Sequence, residues 1–288
     1  MKTLKIIYIT LLIFILSIVL GCVCLYYYNE SINKTVGLTT YDFYHEEIPA
    51  SFDGYKIFMV SDLHNAPFSG EINEHIRNTK PDIIVFTGDM VQLPDDDLTE
   101  FLKIVKEFRD DIPCYFVSGN HEKQNKSYWD ITCKLWDEGV TVLEDDSVEI
   151  KRNKDSFLLV GAQDPEFNTL EKKHYDKIRE EINEEFPDGP CFSVLLNHRA
   201  DLYPEIKDTR ADLILSGHLH GGIIRLPFVG GLIGRKGNVE YPEYEYGLIK
   251  EGSSASMIVS SGCDMNPKKK RYFNPPEVVL ITLKSKAK

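Results

Sequence analysis

"LILSGHLHGG", Leu213 to Gly222, is a branched apolar run that breaks into glycines and two histidines one residue apart, His218 and His220. An unbroken apolar run of this length fits a strand buried on both faces. Past the end of such a strand, glycines permit turns tight enough to bring two imidazoles toward one point. Two converging imidazoles suit a metal, but one His-x-His is too common a pattern to stand alone. The rest of the chain has to supply the other ligands.

Four more runs follow the same plan. "YKIFMVSD" (Tyr55 to Asp62) leads into Asp62 and His64, and "DIIVFTGD" (Asp82 to Asp89) ends on Asp89. "IPCYFVSGNH" (Ile112 to His121) ends on Asn120 and His121, and "FSVLLNH" (Phe192 to His198) ends on His198. In open α/β sheets the site forms beyond the carboxyl ends of the strands. Five buried strands therefore deliver carboxylate, amide and imidazole groups to one edge. Each ending alone is an ordinary turn or cap; the ordered set is a metal centre. Five of the eight histidines belong to it, while His45, His75 and His174 sit in polar surroundings as surface residues. Mixed nitrogen and oxygen donors suit Mn²⁺, Fe²⁺ or Zn²⁺ better than Ca²⁺ or Mg²⁺.

Helical spacing separates the strands. Ile72, His75, Ile76 and Thr79 mark one helix; Leu98, Phe101, Leu102, Val105 and Phe108 mark a clearer one. Asn125–Glu138 and the charged stretch Asn168–Glu185 are further candidates, and "SMIVSSG" and "EVVLITL" close the chain as strands. The class is α/β with stacked mixed sheets. Among the six cysteines there is no C-x-x-C; Cys22 and Cys24 lie near the N-terminus, and Cys114, Cys133, Cys191 and Cys263 are widely spaced. Cys114 and Cys191 fall in strand-like runs, where a buried thiol is the simple reading. Sequence does not choose a disulfide pairing.

Ile6 to Tyr28 carries no charge, follows Lys2 and Lys5, and ends in three tyrosines. Such a stretch spans a hydrocarbon core of ~30 Å, and the preceding lysines place the N-terminus in the cytoplasm and the rest outside. The division that follows is 1–5 cytoplasmic, 6–28 transmembrane anchor, 29–50 linker and 51–288 folded domain, with "LTTYDF" as a possible edge strand. Lipid attachment at Cys22, in "VLGC", is the second reading, and a cleaved signal peptide the third. The net charge of −12 disfavours a nucleic-acid polymer as partner.

The order D-x-H, G-D, G-N-H-E, H and G-H-x-H resembles the calcineurin-like metallophosphoesterase superfamily, from about Lys56 to Leu283. "GHLHGG", "IRLPFVGGLIG" and "SSGCDMNPKKKRYFNPPEVVLITL" are similar to a membrane-anchored bacterial subgroup of phosphodiesterases and phosphohydrolases, with relatives acting on lipid-linked pyrophosphates. The resemblance implies a four-layer α/β/β/α sandwich of two mixed sheets with two divalent transition-metal ions at the strand ends. It implies that Asp62, His64 and His220 hold one ion, that Asp89 bridges, and that Asn120, His198 and His218 hold the other. His121 is then the general acid or transition-state stabiliser beside the leaving group, with Glu122 to orient it. A hydroxide held between two ions ~3.5–4 Å apart would attack phosphorus in line.

Departures narrow the substrate. Gln92 stands where purple acid phosphatases have tyrosine, and the arginines that protein phosphatases carry around these motifs are missing. Arg199 and Arg225 are candidate phosphate binders, or surface residues. The apolar loop "RLPFVGGLIG" is read first as a hairpin packed between the sheets and second as a lipid contact; basic "PKKKRYF" meets head groups or is a solvated turn. The expected function is hydrolysis of phosphoester bonds, diester or pyrophosphate, at the extracytoplasmic membrane surface, on lipid-linked or cell-envelope phosphates. The alternatives are a phosphomonoesterase, a non-catalytic metal-binding scaffold and a single-zinc hydrolase of carbon esters.

Overall fold

The apolar runs form the central strands of two six-stranded sheets. The structure, a computed structural model, describes residues 2–165, 179–180, 182–186, 191–226, 228–233, 239–265 and 270–286. The first sheet has the order β1 (Gly37–His45), β14 (Glu277–Ser285), β2 (Lys56–Val60), β3 (Ile83–Thr87), β4 (Cys114–Val117), β5 (Thr141–Val142). All its pairings are parallel except β14 with β2. The second has the order β12 (Gly247–Ile249), β13 (Ser256–Val259), β9 (Leu213–Gly217), β8 (Ser193–Arg199), β7 (Asp155–Ala162), β6 (Asp146–Arg152). Its four inner strands are parallel and both edges antiparallel. A short hairpin, β10 (Arg225–Leu226) and β11 (Gly230–Gly231), stands apart.

Alternation explains why the central strands are apolar throughout. Ile57, Met59, Ile83 and Val85 point between the sheets, against Val194, Leu196, Leu213 and Leu215. Their neighbours Phe58, Val60, Ile84 and Phe86 point outward to Ile72, Ile76, Phe101, Val105, Ile131 and Leu135. Those six lie on α2 (Ser69–Thr79), α3 (Thr99–Phe108) and α5 (Tyr128–Asp137). On the far side, Leu195, Ile214 and Met257 meet Tyr203 and Ile206 of α6 (Tyr203–Ile206). This is the α/β/β/α sandwich, and a core phenylalanine such as Phe86 would cost ~3–5 kcal/mol to truncate to alanine. α5 starts later than the apolar spacing implies, because Asn125 takes the Ser127 N–H on its Oδ1 and bonds the Asp95 carbonyl, holding a turn instead. The helix expected over Asn168–Glu185 lies for the most part outside the described residues, as does His174.

α1 (Lys2–Ile32) is longer than the charge-free run. Thr3–Ile32 is long and apolar enough to cross a membrane, with a mean hydropathy of 2.9 over its most apolar 18 residues. Its last turns are polar and tied to the domain: Asn29 and Asn33 both donate to the Arg271 carbonyl, each at 2.9 Å. Residues 29–50, taken above as a linker, hold β1, which pairs along its whole length with β14. Most of its side chains are at least partly exposed, so its apolar pattern is weak. Cys114 and Cys263 are buried thiols, Cys191 is half-buried and Cys133 exposed, and no disulfide links the described residues.

Candidate active site

The turns that leave the strands are bent hard. Asp62, His64, Asp89, His218 and His220 all have positive φ, between 47° and 75°. Non-glycine residues pay ~1–3 kcal/mol to stay in sparsely populated backbone regions, and such residues gather at functional sites. The neighbouring glycines leave room where the sheets meet. A Cβ on Gly119 would overlap Asp89, and one on Gly217 would overlap Ser61 and Asp62.

Asp62, His64 and His220 form one group whose donor atoms lie within 4.8 Å of one another; Asp89, His198 and His218 form a second, and His64, Asp89 and His121 a third that shares one residue with each of the others. The Asp89 Oδ2 lies 3.3 Å from His198 Nε2 and 3.7 Å from His64 Nε2, so its carboxylate touches both. Both ring nitrogens of His64, the Nδ1 of His220 and the Oδ1 of Asn120 are buried without a hydrogen bond. Orphaned buried polar atoms cost ~1–3 kcal/mol each, and divalent cations in the two groups would satisfy the His64 Nε2, which faces Asp62 and Asp89, and the Asn120 Oδ1. Asn120 thereby joins the set by its chemistry. The residues fit a dinuclear centre.

Hydrogen bonds orient two of the rings. His198 Nδ1 donates to the Thr87 carbonyl at 2.8 Å, which turns Nε2 toward Asp89 and His218 Nδ1. His121 Nδ1 accepts the Leu93 N–H at 3.0 Å, so its neutral ring carries the proton on Nε2, 4.0 Å from Asp89 Oδ2. Charge follows the same plan. Burial pushes His64 down to about 4, leaving it neutral. Burial also opposes charge on His198, but Asp89 and Asp62 overcome it and raise the ring to about 10. Burial lifts Asp62 to about 6. Burial likewise opposes charge on Asp89, yet His198, His64 and His121 together hold that carboxyl well below the usual range.

The description "Calcineurin-like phosphoesterase" matches residues 55–222, more than half of the chain and all of the strand-end motifs. The chain belongs to the calcineurin-like phosphoesterase family. It is 30% identical over 253 residues to an uncharacterised metallophosphoesterase of Aquifex aeolicus, covering 84% of this chain and 89% of the relative. It is 28% identical over 245 residues to the uncharacterised metallophosphoesterase YkuE of Bacillus subtilis, covering 83% and 82%. It is 23% identical over 281 residues to the UDP-2,3-diacylglucosamine pyrophosphatase LpxG of Chlamydia muridarum, covering 81% and 84%. The protein is a metallophosphoesterase, of a family that uses divalent metals in a dinuclear site.

Around the ligands of this metallophosphoesterase stands a second layer. Glu122 does not orient His121. It is fully buried in α4 (Asn120–Lys123), and its carboxylate accepts four backbone N–H groups, from Asp89, Met90, Val91 and Gly119, at 2.6–3.0 Å. Arg199 is no surface residue: its guanidinium is buried, paired with Asp164 at 2.7 and 3.0 Å, and its Nη1 sits 3.4 Å from His218 Nε2. Arg225 is half-buried, bonds the Gly221 carbonyl and Glu245, and stacks on the Tyr246 ring. Asp264 Oδ2 lies 3.6 Å from His220 Nδ1. Asp164 and Asp264 were missed, although each follows a buried strand, β7 and β13, as the ligands do. Of the other histidines, His75 bonds the Val36 carbonyl and His45 faces Asp212.

Proposed function

We propose that the protein hydrolyses phosphodiester or pyrophosphate bonds at the extracytoplasmic surface of a cell membrane, in lipid-linked or cell-envelope phosphates. The observation that carries the hydrolysis is the pair of ligand groups meeting at Asp89, with the His121 Nε2 facing the shared carboxylate. In such a centre two bound divalent cations, here Mn²⁺, Fe²⁺ or Zn²⁺, supply an activated water and positive charge for the phosphoryl oxygens. Asp62, His64 and His220 would hold one, and Asn120, His198 and His218 the other, with Asp89 between. His121 donates its Nε2 proton to the departing oxygen, and the Leu93 N–H fixes the ring for that transfer. Arg199, neutralised by Asp164, steadies His218 rather than reaching outward; Arg225, beside Gly221, is the stronger candidate for a phosphate contact.

The pyrophosphate reading is supported by the LpxG relative, whose named substrate carries acyl chains. The membrane reading is supported by α1, which runs unbroken through Cys22 and favours an uncleaved single-pass anchor over lipid attachment. Lys2 and Lys5 before the apolar run support an N-terminus on the inner side. The test is turnover of bis-p-nitrophenyl phosphate, a nucleoside diphosphate sugar and p-nitrophenyl phosphate by the full chain with added Mn²⁺. Hydrolysis of either of the first two above the third is the expected result. Hydrolysis of the monoester alone would replace this reading with a phosphomonoesterase.

A further inference from the structure

The hairpin expected to pack between the sheets does not. Leu226, Phe228 and Val229 at its tip are exposed, as are Val239, Tyr241 and Tyr272 on the segments bonded to its base. Outside α1, eleven large apolar side chains are exposed among the described residues, and these six are on one hydrogen-bonded block. The block is continuous with the end of α1. Asn29 bonds the Arg271 carbonyl and the Phe273 N–H, and Lys270 pairs with Glu30 and lies over the Tyr26 ring. Tyr272, between Arg271 and Phe273, bonds Ile223 and Arg225, at the foot of the hairpin. Asn274 then donates to the carbonyl of the ligand residue His220 at 2.6 Å. Anchor end, hairpin and site are therefore joined through residues 270–274. From Arg225 to Phe228 the chain spans at most ~11 Å, and Lys270, two residues before the Tyr272 that bonds Arg225, lies over the Tyr26 ring of α1. Tyrosines at that place in an apolar helix sit at the membrane–water interface.

We propose that the tip of this hairpin, with Leu226, Phe228 and Val229, dips into the bilayer that α1 enters, so that the site opens at head-group level on phosphates of lipids in that same bilayer. Large exposed apolar patches mark contact surfaces, and the continuity with α1 assigns this one to lipid. The choice of substrate rests on the phosphoesterase reading above; the bilayer contact does not.

The test uses the full chain reconstituted in phosphatidylglycerol–phosphatidylethanolamine vesicles. The native protein has two tryptophans, Trp129 and Trp136, both on α5, so Phe228→Trp adds one reporter against a known background. Acyl-chain-brominated lipids are expected to quench the added emission and leave the native emission unchanged. A Phe228→Ser/Val229→Ser variant is expected to keep its rate on soluble bis-p-nitrophenyl phosphate. It should lose several-fold on a diacylglycerol p-nitrophenyl phosphate in the same vesicles. No quenching in Phe228→Trp, with diester turnover intact, overturns the proposal. Emission shifted by protein concentration rather than by lipid also overturns it and puts a second copy on the patch. If neither protein turns over any diester but quenching persists, the phosphoesterase reading has failed and the bilayer contact stands.

Discussion

Glu122 accepts the backbone N–H of Asp89 at 2.8 Å, which fixes the turn carrying the carboxylate shared by the two ligand groups. Its other oxygen takes the N–H groups of Met90 and Val91. A carboxylate is the one side chain that can accept four donors here. Glu122→Gln sets an amide NH₂ against backbone N–H groups, while Glu122→Ala leaves them unpaired at ~1–3 kcal/mol each. Outer-layer changes of this kind cost ~10–100-fold in metal affinity. Both variants should melt earlier and bind Mn²⁺ more weakly, as thermal unfolding and metal titration would show. Unchanged affinity in both would remove Glu122 from the site.

Gly119→Ala is a small change with a large expected effect. The new Cβ would fall on the Asp89 side chain and main chain, and overpacking of this sort costs ~1–3 kcal/mol. Here the displaced atoms are the shared ligand. The variant should fold with a lower Tm and lose bound metal, read by elemental analysis. Gly139→Ala, in open space but at a positive φ of 79°, should lose stability alone and keep its metal.

His121 is expected to act on protons, outside the two ligand groups. His121→Ala should keep the metal content of the parent and lose ~10²–10⁴-fold in kcat for the diester. Loss of metal along with activity would instead make it a ligand, as its place near His64 and Asp89 would allow.

Metal loading should release protons unequally. His198 is raised to about 10 by Asp89 and Asp62 despite its burial, so at pH 8 it carries a proton that a metal must displace. His64, lowered to about 4 by burial, has none to lose, and Asp62, at about 6, is already ionised. Titration calorimetry in buffers of different ionisation enthalpy should find a net release of at least one proton per chain at pH 8. No buffer dependence would contradict this assignment.

The meeting of the strand-end Asp, Asn and His residues was legible because burial on both faces makes a strand an unbroken apolar run, and the first polar residues after it fall at one edge. The same rule applied to β7 would have reached Asp164 beside Arg199, two residues past the strand, whereas Asp264, five residues past β13, lies beyond it. The role of Glu122 was not legible, since its partners are backbone N–H groups, which every residue carries. Nor was the pairing of β1 with β14, made across more than two hundred residues by an edge strand with exposed side chains. The hairpin tip misled because "RLPFVGGLIG" has the composition of a core segment. Composition does not decide its place: Leu226, Phe228 and Val229 are exposed in the folded chain.

The central claim is that one chain holds two cations for phosphoester hydrolysis. The most direct measurement counts bound metal in the purified full chain, with Asn29 and its contacts intact, alongside turnover of bis-p-nitrophenyl phosphate. Two divalent ions per chain, with turnover lost on chelation and restored by Mn²⁺, is the predicted result. Fewer than one ion per chain, and no turnover with any divalent ion, would contradict it.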